Sequence, residues 1–201
     1  MMSEKKQTIH VVDDDEAMRD SMNWLLEGEG YKVACYDSAA SFLAARNDRM
    51  RGCIVLDVRM PEMSGLELHE KLETLGSRLP IIFVTGHGDV PMAVSALQRG
   101  ACDFIEKPFN NEDLLSRIRR ALELDSQLSA RQQRNSAIAH RLEQLTQRER
   151  EVMQLVVAGK LNKQVADELD ISMKTVEAHR ARVMEKMGVR TLAELVTAVM
   201  S

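Results

Sequence analysis

The sequence predicts an α/β domain built on a five-stranded parallel, doubly wound sheet. A small all-α domain of four helices follows it, and a helical linker joins the two. Three observations predict this. Within residues 1–124, five short apolar, β-branched runs alternate with stretches of helical periodicity. Such alternation calls for right-handed crossovers and a parallel sheet covered on both faces. The charge also divides: residues 1–124 carry 15 Lys+Arg against 21 Asp+Glu, a balance of -6, and residues 125–201 carry 12 against 10, a balance of +2. The expected boundaries are 1–124, a linker over 125–141, and 142–201.

The first strand is Thr8–Asp13 (TIHVVD). Asp15 can cap the next helix, in which Met18, Met22, Leu25 and Leu26 recur at helical spacing and which Gly28 and Gly30 end. Tyr31–Tyr36 is the second strand, and Ser38 can cap a short helix to about Arg46. Cys53–Asp57 is the third strand, followed by a loop with Pro61 and Gly65 and a helix carrying Leu66, Leu68 and Leu72. Leu79–Thr85 is the fourth strand, with a helix near Pro91–Arg99. Ala101–Glu106 is the fifth, and a helix starts at about Asn111.

Ligands of open parallel sheets sit outside the carboxyl ends of the strands. Here those ends carry Asp13 and Asp14, Asp57, Thr85 and Lys107. Three carboxylates repel one another, and a hard cation such as Mg²⁺ relieves this while keeping sites for water and phosphate oxygens. A carboxylate beside the metal can accept a phosphoryl group. Thr85 can donate to a phosphoryl oxygen, and Lys107 can pair with another. Neither G-x-G-x-x-G after the first strand nor G-x-x-x-x-G-K-[ST] is present, which sets aside dinucleotide and P-loop chemistry. His87 has nothing spaced to use it as a base and is assigned no role. Phe104 reads equally as a core residue of its strand.

Residues 125–145 contain neither Gly nor Pro and favour a polar helix continuing from the preceding one, with a break near Asn135-Ser136. The alternative is a dimerising coiled coil, for which the heptads are few and irregular. Thr146-Gln147-Arg148-Glu149 is a T-x-x-E capping box. Its helix runs to Gly159; Asn162 can cap a second helix, Ser172 a third ending before Gly188, and Leu192–Met200 is a fourth. Two helices joined by a tight turn fit a DNA-reading helix-turn-helix. On the third helix Val176, Val183 and Met187 share the inward stripe, while Lys174, Thr175, Glu177, Ala178, Ala181 and Arg182 point outward. Ala178 can touch a thymine methyl, Lys174 and Arg182 can reach bases or phosphates, and Lys163 and Lys186 are candidate phosphate contacts. His179 lies at the border of the face, Arg180 lies near the apolar stripe, and the acidic Glu177 departs from a uniformly basic reader.

The stretches VVDDDEAMRD, CIVLDVRMPEMSG, VTGHGDVPMAV and GACDFIEKPF resemble the receiver domain of bacterial two-component response regulators. The resemblance covers about residues 7–124 and implies the flavodoxin/CheY-like fold. It implies that Asp57 is the phosphoacceptor and that Asp13 and Asp14 bind Mg²⁺ together with Asp57 and the Arg59 backbone carbonyl. Thr85, Lys107 and Phe104 match its switch residues, and the Lys107-Pro108 peptide is expected to be cis. Residues 142–201 resemble the LuxR-type DNA-binding domain, so the whole chain resembles the NarL/FixJ response regulators. That implies a sensor histidine kinase, promoter DNA and RNA polymerase as partners. It further implies a homodimer formed on phosphorylation and, at most, slow hydrolysis of the chain's own phosphate.

Two rival readings follow from the residues. An aspartyl-nucleophile phosphatase would carry an acid two residues after the nucleophile, where Arg59 stands. A receiver with a protein- or RNA-binding output would lack affinity for promoter DNA. No apolar run approaches the roughly 18–20 residues that span a bilayer. The N-terminus lacks an apolar secretory region, and the three cysteines (Cys35, Cys53, Cys102) form no C-x-x-C, so a reducing cytoplasmic location is expected.

Overall fold

The structure is a computed structural model that describes residues 7–86, 94, 97 and 100–200. The chain forms two compact units, Met1–Ser129 and Ala130–Ser201. The first contains β1 (Thr8–Val12), α1 (Glu16–Gly28), β2 (Lys32–Tyr36), α2 (Ala39–Ala45), β3 (Gly52–Asp57), α3 (Gly65–Thr74), β4 (Ile81–Thr85) and β5 (Asp103–Glu106). The expected helix near Pro91–Arg99 lies outside the described residues apart from Val94 and Leu97, which are helical, and so does His87. The long helix α4 (Asn111–Glu143) starts in the first unit. In the second lie α5 (Gln147–Val157), α6 (Asn162–Leu169), α7 (Met173–Met187) and α8 (Leu192–Met200).

The sheet order is β2-β1-β3-β4-β5, and every described pairing is parallel. Both faces are buried, as crossovers on two sides require. On one face Ile9, Val11, Cys53, Val55, Ile82 and Val84 pack with Met22 and Leu26 of α1 and with Leu114, Ile118 and Ala121 of α4. On the other, Val12, Ile54, Leu56 and Phe83 pack with Phe42 of α2 and with Leu68 and Leu72 of α3. The period-2 alternation along each strand divides the residues between the faces.

Local chemistry sets the element ends. Asp15 caps α1, its Oδ1 accepting from the Ala17 and Met18 amides at 2.9 and 3.3 Å. Ser64 and Glu67 form a reciprocal capping box on α3. β4 starts at Ile81 rather than Leu79, because Pro80 has no N–H for the ladder. Two expectations are corrected. The linker helix has no break at Asn135-Ser136: α4 is one helix, since neither residue carries the conformational penalty of Gly or Pro. Asn162 is the first residue of α6 rather than its cap. Gln164 Oε1 accepts from the Leu161 amide at 2.9 Å, and Asn162 Oδ1 accepts from Arg180 Nη1 at 2.5 Å.

The second unit has its own core. Val152, Val156, Val165, Ala166 and Val176 join α5, α6 and α7. Met153, Val183, Met187 and Leu195 join α5, α7 and α8. The turn between α6 and α7 passes through Asp170 in the left-handed conformation (φ 51°), which Asp tolerates.

Candidate functional site

Parallel pairing brings the carboxyl ends of β1, β3, β4 and β5 to one rim. Asp13, just past β1, is buried; its Oδ1 accepts from the Asp15 amide at 2.9 Å. Asp57, the last residue of β3, is buried too; its Oδ2 accepts from the Arg59 amide at 2.7 Å. Lys107, just past β5, donates from Nζ to Asp57 Oδ1 at 2.7 Å and to Asp13 Oδ2 at 3.1 Å. Its own amide donates to the Thr85 carbonyl at 2.8 Å, and the Lys107-Pro108 bond is cis, as expected. Thr85 is fully buried and its hydroxyl donates to the Gly86 carbonyl at 3.2 Å. Phe104 is half-buried against the face lined by Phe83 and Leu72.

Asp13, Asp57, Thr85 and Lys107 are thus brought together. Asp14 is exposed and is not drawn into the cluster. Burial pushes the Asp57 carboxyl above its usual pKa, against the pull of the Lys107 ammonium. For Lys107 burial works against the charged form, yet the Asp57 and Asp13 carboxylates outweigh it and hold the ammonium above its ordinary range. The lysine therefore supplies the positive charge that two facing carboxylates need.

Among the described residues no three His, Cys, Asp or Glu side chains are gathered for a metal ion. The donor chemistry nevertheless fits Mg²⁺. Two hard carboxylates converge on one point beside an exposed third, and Mg²⁺ characteristically takes one or two carboxylates and keeps several waters.

In the second unit Lys163, Lys174, Ala178 and Arg182 are exposed, with Glu177 and Ala181 on the same side of α7. Thr175 is half-buried; its hydroxyl lies 2.8 Å from Ser172 Oγ, the side chain that caps α7. His179 is half-buried, and its Nδ1 is enclosed without a hydrogen-bond partner among the described residues. Lys186 differs from a free phosphate contact. Its Nζ donates to Glu149 Oε2 at 2.6 Å and to the Gln144 carbonyl at 3.2 Å. Glu149 is buried, and the Lys186 ammonium holds its carboxyl below the usual pKa. Sequence reasoning missed two further internal cations. Arg141 donates to the Met187 carbonyl at 2.8 Å and Arg148 to the Leu169 carbonyl at 2.5 Å, each satisfying a helix C-terminus.

Residues 9–119 match the response regulator receiver domain family, and residues 143–199 match the bacterial regulatory proteins of the luxR family. The chain belongs to the NarL/FixJ response regulators. The response regulator TodT of Pseudomonas putida is 46% identical over 195 residues, covering 97% of this chain and 86% of that relative. The transcriptional regulatory protein FixJ of Bradyrhizobium diazoefficiens is 45% identical over 192 residues, covering 96% and 94%. Among solved structures, that of the response regulator StyR has a TM-score of 0.87 at 42% identity, covering 97% and 98%. That of full-length FixJ from B. japonicum has a TM-score of 0.61 at 45% identity, covering 97% and 96%. A receiver joined to a LuxR-type domain makes this response regulator a phosphorylation-activated transcription regulator of a two-component system, not a metabolic enzyme. The receiver implies a histidine kinase partner, and the LuxR-type domain implies DNA binding. Among the described residues no helix is long and apolar enough to cross a membrane.

Proposed function

We propose that Asp57 accepts a phosphoryl group from a histidine of a sensor kinase. The supporting observation is the Lys107 ammonium bridging Asp57 and Asp13 at the carboxyl rim of the sheet. Asp57 Oδ1 attacks phosphorus; the P–O bond forms as the P–N bond breaks, and the departing imidazole takes up a proton. Asp13, Asp14, Asp57 and the Arg59 carbonyl would hold Mg²⁺, which would supply positive charge to offset that of the phosphoryl oxygens. Lys107 leaves the carboxylate for a phosphoryl oxygen, and the Thr85 hydroxyl turns from Gly86 to another. The Phe104 ring follows into the space released. Water later hydrolyses the acyl phosphate slowly, which makes the state a timer.

In this reading phosphorylation pairs two receivers and places two α7 helices on half-sites about one helical turn apart. Lys163, Lys174, Thr175, Ala178, His179 and Arg182 face promoter DNA, while Lys186 steadies the helix that carries them. The protein acts in the cytoplasm alongside RNA polymerase. Domain limits of 1–124 and 142–201 around a 125–141 linker serve this division of labour. Acetyl phosphate labelling tests the proposal: Asp57→Asn abolishes incorporation and chelating Mg²⁺ blocks it in the wild type. Persistent labelling of the variant, or metal-independent labelling, refutes it.

A further inference from the structure

At the end of the sheet opposite the phosphoacceptor, one carboxylate collects donors from two strands. Asp125 lies on α4 and is only 5% exposed. Its Oδ1 and Oδ2 accept from Arg51 Nε at 3.1 and 3.0 Å, and Arg51 Nη2 lies 2.9 Å from Oδ2. Gln7 Nε2 donates to Oδ2 at 2.7 Å and, in the same fork, to the Leu122 carbonyl of α4 at 2.7 Å. Gln7 immediately precedes β1, and Arg51 immediately precedes β3. Those strands lead to Asp13, just past β1, and Asp57, the last residue of β3. The two acid-bearing strands therefore each grip α4 by a side chain at their opposite ends. The strand starts are themselves tied together, since the Thr8 amide donates to the Arg51 carbonyl at 3.0 Å. An added Cβ on Gly52 would lie 1.8 Å from the Thr8 carbonyl oxygen.

A buried carboxylate is costly unless its lone pairs are filled. Asp125 continues the stripe Leu114, Ile118, Ala121, whose members are otherwise apolar and buried. An Asp at such a position adds no hydrophobic packing. Its complete set of donors makes it a directional fastener instead.

We propose that Gln7, Arg51 and Asp125 form a clamp that fastens the outgoing linker helix to the strands of the phosphoacceptor site, and that output depends on it. This rests on the phosphoacceptor reading only for what the site transmits; the anchoring itself does not. All three are positioning residues.

The test uses the full chain with Asp125→Asn, Arg51→Met and the milder Gln7→Ala. Glu123→Gln, exposed on the same helix, is the control. Amide hydrogen exchange over residues 122–129 should quicken on the order of 10²-fold in the first two variants, as loss of one partner of a buried ion pair implies. Gln7→Ala should quicken it several-fold, and Glu123→Gln should leave it unchanged. Asp57 labelling by acetyl phosphate should stay near the wild-type rate, while the gain in promoter affinity on phosphorylation falls several-fold. Unchanged exchange in Asp125→Asn, or quickened exchange with an undiminished affinity gain, overturns the clamp. Failure of the wild-type chain to label at Asp57 overturns the phosphoacceptor reading and leaves the exchange result standing.

Discussion

Gly65→Ala tests how Asp57, the proposed phosphoacceptor, is held in place. Gly65 opens α3, directly after the loop that leaves Asp57, and its amide donates to the Val58 carbonyl at 3.0 Å. An added Cβ would lie 2.1 Å from the Asp57 carbonyl oxygen and 3.1 Å from Leu56 Cγ. An ordinary C···O approach is about 3.3 Å. The methyl therefore forces a shift of about 1 Å, and the obstacle is the backbone of Asp57 itself, with no flexible side chain to yield. Overpacking of this kind costs about 1–3 kcal/mol. A displacement of about 1 Å at a reacting group can lower its rate about 10²-fold. The expected result is a large drop in the rate of phosphoryl uptake from acetyl phosphate, with a moderate loss of stability in urea. Gly28→Ala is the matched comparison: a Cβ there meets nothing within 4 Å, at the end of α1. That change should leave uptake unaltered and raise stability by about 0.5 kcal/mol. Wild-type uptake in Gly65→Ala, or equal damage from Gly28→Ala, refutes the close-approach argument.

His10 is buried beside Tyr36 and Phe42, and burial lowers its pKa from 6.5 to about 4. The unfolded chain then takes up the proton first, so stability present above pH 6.5 is lost as pH falls toward 4, by about 3 kcal/mol; urea unfolding across that range should show the slope, and His10→Phe should remove it. Lys186→Met strands the buried Glu149 carboxylate and should cost about 1–2 kcal/mol, discounted because the lysine is one-third exposed. Lys163→Gln should leave stability within about 0.5 kcal/mol and flatten the salt dependence of DNA affinity by about one unit of slope; the reverse pattern would exchange the two roles.

The strands were legible from their apolar, β-branched runs, and four helix caps because Asp15, Ser38, Thr146 and Ser172 stand where an orphan amide needs an oxygen. The acidic rim was legible because a parallel sheet assembles its carboxyl ends whatever the loops do. What escaped depends on side-chain reach across the sequence. Lys107 and Asp13 are 94 residues apart, and nothing local says that one ammonium will span both acids. The same holds for Lys186 with Glu149 and for Arg51 with Asp125. Asp125 did leave a trace: a carboxylate on the buried stripe of a helix signals a partner elsewhere in the chain.

The fate of the basic residues bears on why one reader domain would work as half of a pair. A balance of +2 over residues 125–201 suggests a weak attraction to DNA, and the structure narrows it further. Arg141 and Arg148 are spent on helix carbonyls, Arg180 on Asn162, Lys160 on Glu168, and Lys186 on Glu149. On α6 and α7, Lys163, Lys174 and Arg182 remain exposed and make no ion pair among the described residues. If these three meet phosphates as proposed, the salt slope is about -3 for one copy and about -5 for two. The backbone-directed affinity of a single domain is therefore small, and Glu177 beside Lys174 reduces it further. Two copies held on adjacent half-sites multiply their affinities through effective concentration without any new contact. In the proposed reading, a reader kept this sparing in cations binds poorly alone, and that property would let receiver pairing govern when it binds.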